Sequence, residues 1–228
     1  MKVFASVTTV TILALWLAAA RPVNLVSLAI SGLIAALLIA LGLAAAGRFG
    51  KGALSTSGGA AIGRLAWSGL LGFVLGAIAL AVLVYCLVPM EPALAERLRS
   101  RAGDPSWMPI VLAFESSVLE EVVFRLFLMS GLIWLLARGW RKATPSPSPI
   151  MVWTAIIISS LAFGLVHLPS WLQVAPPTPL LIGSVLALNG VAGIALGQVY
   201  WRWGLLAALV CHFAADVAVQ GMGPKLIA

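Results

Sequence analysis

Three short runs hold the residues best able to do chemistry. Glu120-Glu121-Val122-Val123-Phe124-Arg125 sets two adjacent carboxylates and an arginine in an otherwise apolar stretch. Phe163-Gly164-Leu165-Val166-His167 ends on one of the two histidines, and His212-Phe213-Ala214-Ala215-Asp216 joins the other to an acid. Only seven acidic residues occur in the chain, and four of them, Glu115, Glu120, Glu121 and Asp216, lie in apolar stretches. On insertion-type scales a central Asp, Lys or Arg costs roughly 2.5 to 3.5 kcal/mol, so Glu-Glu-Arg opposes insertion by on the order of 10 kcal/mol before pairing. Charges kept at that cost are candidates for function.

Helical spacing divides them. Residues four apart share a face, so Glu121 can pair with Arg125 and His212 with Asp216, while Glu120 points about 100° from Glu121 and is free to face another element. If the three helices converge, an ionised Glu beside a histidine can polarise a water, and a second histidine can hold the oxygen of a tetrahedral intermediate. That is the outline of a hydrolase. The same side chains, Glu120, His167, His212 and Asp216, suit Zn²⁺ by donor type, although no His-Glu-x-x-His sequence is present. Ser116 and Ser117, one turn before Glu120, carry no mark of a nucleophile and are expected to bond backbone.

The elements that position these residues follow from composition. With 62% hydrophobic and 9% charged residues and a mean hydropathy of +1.09, the chain is no ordinary soluble domain, whose charged fraction is near a quarter. Apolar runs at roughly 3–20, 24–46, 65–89, 107–137, 150–168, 180–200 and 204–220 are long enough to cross about 30 Å of hydrocarbon. Backbone groups in lipid must be satisfied internally, so the fold class is all-α: a polytopic membrane helical bundle of seven or eight spans. We expect a single membrane domain over 1–228, with N-terminal spans in 1–106 and the core helices carrying the motifs in 107–220. The length of the fourth run leaves room for its first turns, from Trp107, to lie at the interface. Pro169 to Pro179 reads as an uncharged connection, and Thr144 to Pro149 as a stiff linker.

Most of the 14 basic residues lie in short connections, where they set topology, so nucleic acid is not an expected partner. With a cytoplasmic N-terminus, Lys2, Arg48, Lys51, Arg64, Arg138, Arg141, Lys142 and Arg202 fall on that side, and Arg21, Arg97, Arg99, Arg101 and Lys225 on the other. Lys2, an apolar run and Ala18-Ala19-Ala20 before Arg21 resemble a secretory signal, but the run is long and an uncleaved first span is expected. Cys86 and Cys211 sit in apolar stretches and read as small hydrophobes. Gly69, Gly72 and Gly76, like Gly190, Gly193 and Gly197, have the spacing that lets helices approach closely. Glu115 and Asn189 read as structural, and Trp107, Trp171, Trp201 and Trp203 as interfacial anchors.

Taken in order, Glu120-Glu121-x-x-x-Arg125, Phe163-x-x-x-His167 and His212-x-x-x-Asp216, with Gly193, Gly197 and a Tyr200-to-Gly204 turn between the last two, resemble the CPBP family of intramembrane endopeptidases. This family includes CAAX prenyl proteases and bacteriocin-processing or immunity-type membrane proteins. The resemblance covers roughly residues 107–220. It implies a catalytic cavity within the membrane, with Glu120 as general base, His167 as its partner in activating water, and His212 and Asp216 at the oxyanion. Glu121 and Arg125 would be the supporting pair. It also implies a metal-independent glutamic peptidase with no cofactor, although zinc is an older reading of the same residues.

One position departs from the pattern: the family's usual Asn is Asp216 here. An ionised carboxylate cannot donate to an oxyanion, so Asp216 must either be protonated or orient His212. The expected partners are the lipid bilayer and a protein or peptide substrate, lipidated or otherwise membrane-associated. The expected location is the plasma membrane in a prokaryote or the endoplasmic reticulum in a eukaryote. A proton-coupled transporter and a non-catalytic immunity or scaffold protein of the same fold are the alternative functions.

Overall fold

The structure, a computed structural model, describes residues 2–18, 25–49, 60–99, 101–139, 146–173 and 175–227. Arg21, Lys51, Arg141 and Lys142 of the loop charges, the Ala19-Ala20 part of the signal-like motif and the start of the Thr144–Pro149 linker lie outside them. Among the described residues every regular element is helical: α1 (Lys2–Ala18), α2 (Leu25–Gly47), α3 (Ala60–Ala81), α4 (Ala93–Arg99), α5 (Met108–Glu121), α6 (Ser130–Gly139), α7 (Pro149–Leu172), α8 (Pro179–Trp203) and α9 (Leu205–Ile227). Two stretches between them, Val82–Leu87 and Val122–Met129, are wound as π-helix. The second joins α5 to α6 without a break.

Local chemistry sets the helix boundaries. Pro109, Pro149 and Pro179 sit in the first turns of α5, α7 and α8, where a missing N–H costs nothing. Thr178 caps α8, its hydroxyl accepting the Leu181 amide at 3.1 Å and donating to Glu91 at 2.7 Å. Between α8 and α9 the chain turns at Gly204, whose φ of 90° suits a residue without a side chain. The anticipated turn from Tyr200 is closed by the Gly204 amide donating to the Tyr200 carbonyl at 2.9 Å.

Among the described residues five helices are both long and apolar enough to cross a membrane: Val26–Gly47, Ala61–Leu87, Pro149–Leu172, Pro179–Trp203 and Leu205–Ile227. The remaining two expected spans differ from these. Lys2–Leu17 is apolar but shorter, and the helix that begins at Met108 carries Glu115, Glu120, Glu121 and Arg125. The helix from Met108 runs without a break into Val122–Met129, so its first turns are not a separate element, and a short helix, α4, precedes it at Ala93–Arg99. The connection expected from Pro169 is shorter than its sequence suggests, since α7 runs through that proline to Leu172. The outer surfaces carry exposed Leu33, Leu37, Trp67, Leu161 and Leu165, as a lipid-facing bundle requires. The chain is a multi-pass integral membrane protein.

Helix α9 lies at the centre of the packing that matters for the site, contacting α3, α5 and α8. Its closeness to α3 depends on two of the glycines: a Cβ at Gly72 would fall on the Cys211 backbone, and one at Gly76 on the Ala215 backbone. The packing role expected of this glycine row holds at those two positions. On the other side α7 packs on α8, where Gly193 meets Ser160 and Gly197 meets Ile156, while Gly190 faces open space. A buried apolar layer including Ile39, Leu126, Met129, Ile156, Leu196 and Leu205 ties α2, the second π stretch, α7, α8 and α9 together.

Candidate active site

Glu120 and Glu121 close α5, and the helix changes from α to π winding at the next residue, Val122. Local π geometry recurs at functional sites because it redirects side chains within an otherwise regular helix. Arg125, inside the π stretch, is fully buried, as is Glu121. The Arg125 Nε stands 3.4 Å from Glu121 Oε2, and an Nη2 hydrogen donates to the Gly193 carbonyl at 3.2 Å. The guanidinium carbon lies 4.7 Å from the centre of the Phe163 ring. A cation buried in this way therefore has a carboxylate, a carbonyl and an aromatic face as partners.

The second Glu121 oxygen reaches another helix. His212 Nδ1 donates to Glu121 Oε1 at 3.0 Å, which fixes the ring plane and turns Nε2 towards Glu120 and Asp216. From Nε2, Glu120 Oε2 is 3.6 Å away and Asp216 Oδ2 3.8 Å. On α7, His167 Nδ1 donates to the Phe163 carbonyl at 2.7 Å, one turn back, so its Nε2 is likewise presented outward, 3.8 Å from Glu120 Oε1. Each Glu120 oxygen thus faces the Nε2 of one histidine. These separations are too long for direct hydrogen bonds.

Burial grades the cluster. The side chains of Glu121 and Arg125 are 0% exposed and that of His212 6%, whereas Glu120, His167 and Asp216 are 26%, 25% and 22% exposed. Glu120 Oε2 is itself a buried oxygen without a hydrogen-bond partner. Phe163 forms the wall between the groups, with its ring centre 4.7 Å from that of His167, 5.7 Å from that of His212 and 5.3 Å from that of Phe124. Substrate or water can approach the Glu120 side, while the Glu121–Arg125 side is sealed.

All six candidate residues, Glu120, Glu121, Arg125, His167, His212 and Asp216, come together. Glu121 does more than its pairing with Arg125 implied, because it also orients His212. Two contributors were not singled out from the sequence for a role here: the Gly193 carbonyl, which receives Arg125, and Gln220, whose Nε2 donates to Asp216 Oδ2 at 3.2 Å. Gln220 continues the four-residue stripe His212-Asp216, a signal present in the sequence.

The single Ser116 hydroxyl proton is within reach of the Leu112 and Ala113 carbonyls, as expected, at 2.8 and 3.2 Å, and of Asp216 Oδ2, and these three acceptors share it. Asn189 donates to the Val185 carbonyl at 2.8 Å, within its own helix. Glu115 is half-buried and forms no hydrogen bond or ion pair among the described residues. For zinc the donor types are suitable, but the described residues contain no group of three or more His, Cys, Asp or Glu placed to hold a metal ion. Glu120 lies between the two histidines, His212 Nε2 between Glu120 and Asp216, and Glu121 between His212 and Arg125.

Comparison with known proteins gives one match. A family model described as type II CAAX prenyl endopeptidase, Rce1-like, aligns with residues 102–218, a segment that contains all six candidates. Neither the curated proteins nor the solved structures yielded a match. The aligned segment takes in more than half of the chain, begins just before α5 and ends two residues past Asp216. On that match, and with the apolar helices that carry it, the chain belongs to the Rce1-like family of type II CAAX prenyl endopeptidases, proteases of the membrane.

Proposed function

We propose that this chain hydrolyses a peptide bond within or beside the bilayer by a glutamic mechanism, with Glu120 as general base. The supporting observation is that each Glu120 oxygen faces one histidine Nε2, at 3.8 Å for His167 and 3.6 Å for His212. A water held between Glu120 Oε1 and His167 Nε2 has an acceptor for its proton and a second contact that orients its lone pair. As the water oxygen bonds to the scissile carbonyl carbon, its proton passes to Glu120 and the carbonyl π pair moves onto oxygen. His212, carrying a proton on each nitrogen, donates from Nε2 to that oxyanion while Nδ1–H stays on Glu121. Collapse of the intermediate breaks the C–N bond, and Glu120 returns the proton to the leaving amine.

In this scheme Glu121 and Arg125 hold His212 and the end of α5 in place. Asp216, as a carboxylate, acts on His212 rather than on the oxyanion. The substrate reading follows from membership among the CAAX prenyl endopeptidases: a peptide that carries a prenyl group. The partial exposure of Glu120, His167 and Asp216 together with the apolar outer helices favours a substrate that arrives from lipid. A proton-relay transporter would need titratable groups strung across the bilayer, and here His167, His212 and Arg125 gather around Phe163 with Glu120 beside both histidines.

The test is cleavage by purified protein in liposomes, using a prenylated peptide and its unmodified counterpart. Glu120→Ala is expected to abolish cleavage with the fold retained, as judged by thermal unfolding. Undiminished turnover in that variant would sink the mechanism, and equal turnover of both peptides would remove the lipidated-substrate reading alone.

A further inference from the structure

Asp216 is approached from a side that the sequence motifs do not cover. Its Oδ2 interacts with two polar groups outside the catalytic set: the Ser116 hydroxyl on α5 and the Gln220 side-chain amide on α9, the latter at 3.2 Å. Gln220 cannot be turned the other way. Its Oε1 accepts from Arg101 Nη1 at 3.3 Å, and a guanidinium has donors only, so the amide nitrogen must face Asp216. Arg101 stands in the exposed connection before α5. A hydrogen-bonded chain therefore runs from Arg101 through Gln220 to Asp216, where Ser116 meets it.

The terminal torsion of an aspartate is soft and roughly two-fold, so nothing in the side chain itself fixes its carboxylate plane. Asp216 is also partly exposed, which leaves room for rotation. The Gln220 amide donating to Oδ2, with the Ser116 hydroxyl in contact with the same oxygen, removes that freedom and keeps Oδ2 at 3.8 Å from His212 Nε2. An amide at this position would be held with the same polarity, because the Gln220 nitrogen, a donor only, would select its oxygen, and the Ser116 hydroxyl can adapt to either atom.

We propose that Ser116 and Gln220 are positioning residues that fix the orientation of the Asp216 side chain towards His212, with Arg101 fixing Gln220 in turn. The assignment rests on the Glu120–His167–His212 site proposed above. Ser116 is thus neither a nucleophile nor a mere backbone binder.

The experiment uses full-length protein in liposomes, with kcat and KM for a peptide that the wild type cleaves and ¹⁵N NMR of the histidine rings. Ser116→Ala and Gln220→Met are each expected to lower kcat about tenfold to a hundredfold, the scale of a misplaced catalytic group. KM should stay within about twofold, and Ser116→Thr should restore turnover. In an Asp216→Ala background neither substitution should cause a further loss, and in Ser116→Ala the His212 ring signals should shift while those of His167 stay. Unchanged kcat in both single variants, or equal losses with and without Asp216, would overturn the proposal. If Glu120→Ala proves as active as wild type, the active-site reading fails separately. The His212 spectrum then decides, and ring signals unmoved by Ser116→Ala would overturn the positioning role.

Discussion

Glu121 Oε1 lies 3.0 Å from His212 Nδ1, so the acid that pairs with Arg125 on its own helix also holds a histidine on α9. Glu121 Oε1 takes the hydrogen bond from His212 and Oε2 faces the Arg125 charge at 3.4 Å. The neighbouring Glu120 is the more exposed of the two carboxylates and, among the described residues, has no ion-pair partner other than the histidines.

Removing either member of the Glu121–Arg125 pair should destabilise the protein. Glu121→Gln and Arg125→Met each strand the other charge in a dry interior, at a cost of about 3 to 5 kcal/mol. Arg125→Lys should not rescue, since an ammonium lacks the flat face that lies over Phe163 and the fork that reaches Glu121 and Gly193 together. Thermal unfolding in detergent reads this directly, and wild-type melting in both charge-removal variants would contradict the pairing.

Asp216→Asn should leave turnover within about tenfold of wild type, because the amide keeps an acceptor for Ser116 and Gln220 and the shape of the site. Steady-state cleavage measures it. Complete inactivation would mean that the negative charge itself is required, most directly to keep His212 protonated.

Turnover should survive exhaustive chelation. Since the described residues contain no group of three or more His, Cys, Asp or Glu placed to hold a metal ion, elemental analysis of active protein should find no stoichiometric metal. Activity that disappears on chelation and returns with Zn²⁺ would replace the glutamic mechanism with a metal-dependent one.

Gly72→Val should disrupt the approach of α3 to α9, because even the first side-chain carbon would overlap the Cys211 carbonyl next to His212. Overpacking of this kind costs about 1 to 3 kcal/mol or more and should lower both folded yield and cleavage. Gly69→Ala, whose methyl would stand 3.5 Å from a Val210 methyl, is the matched control and should be nearly neutral. Equal behaviour of the two variants in a thermal melt would argue against a tight α3–α9 contact.

Much of the site was legible because it depends on spacing along single helices. The four-residue intervals Glu121–Arg125 and His212–Asp216 are intrahelical, and both bring their side chains together, at 3.4 and 3.8 Å. The all-helical fold was equally legible, since a chain this apolar has only helices with which to satisfy its backbone in lipid. Span counting was less secure at Met108–Gly139, where the functional charges themselves dilute the apolar signal.

The amino-acid order alone determined the chemistry available: which acids and histidines lie in apolar helices, which of them share a face, and that Glu120 points away from its neighbour. Only tertiary structure decided the pairing between helices. That Glu121 reaches His212, that both histidines turn Nε2 towards Glu120, and that Ser116 meets Gln220 at Asp216 depend on how α5, α7 and α9 approach one another. Those approaches are set by packing, such as Gly72 and Gly76 against α9 and Gly193 against Ser160, and by the π winding after Glu121. Helical periodicity is a property of one segment, whereas a contact between segments depends on the shapes of both.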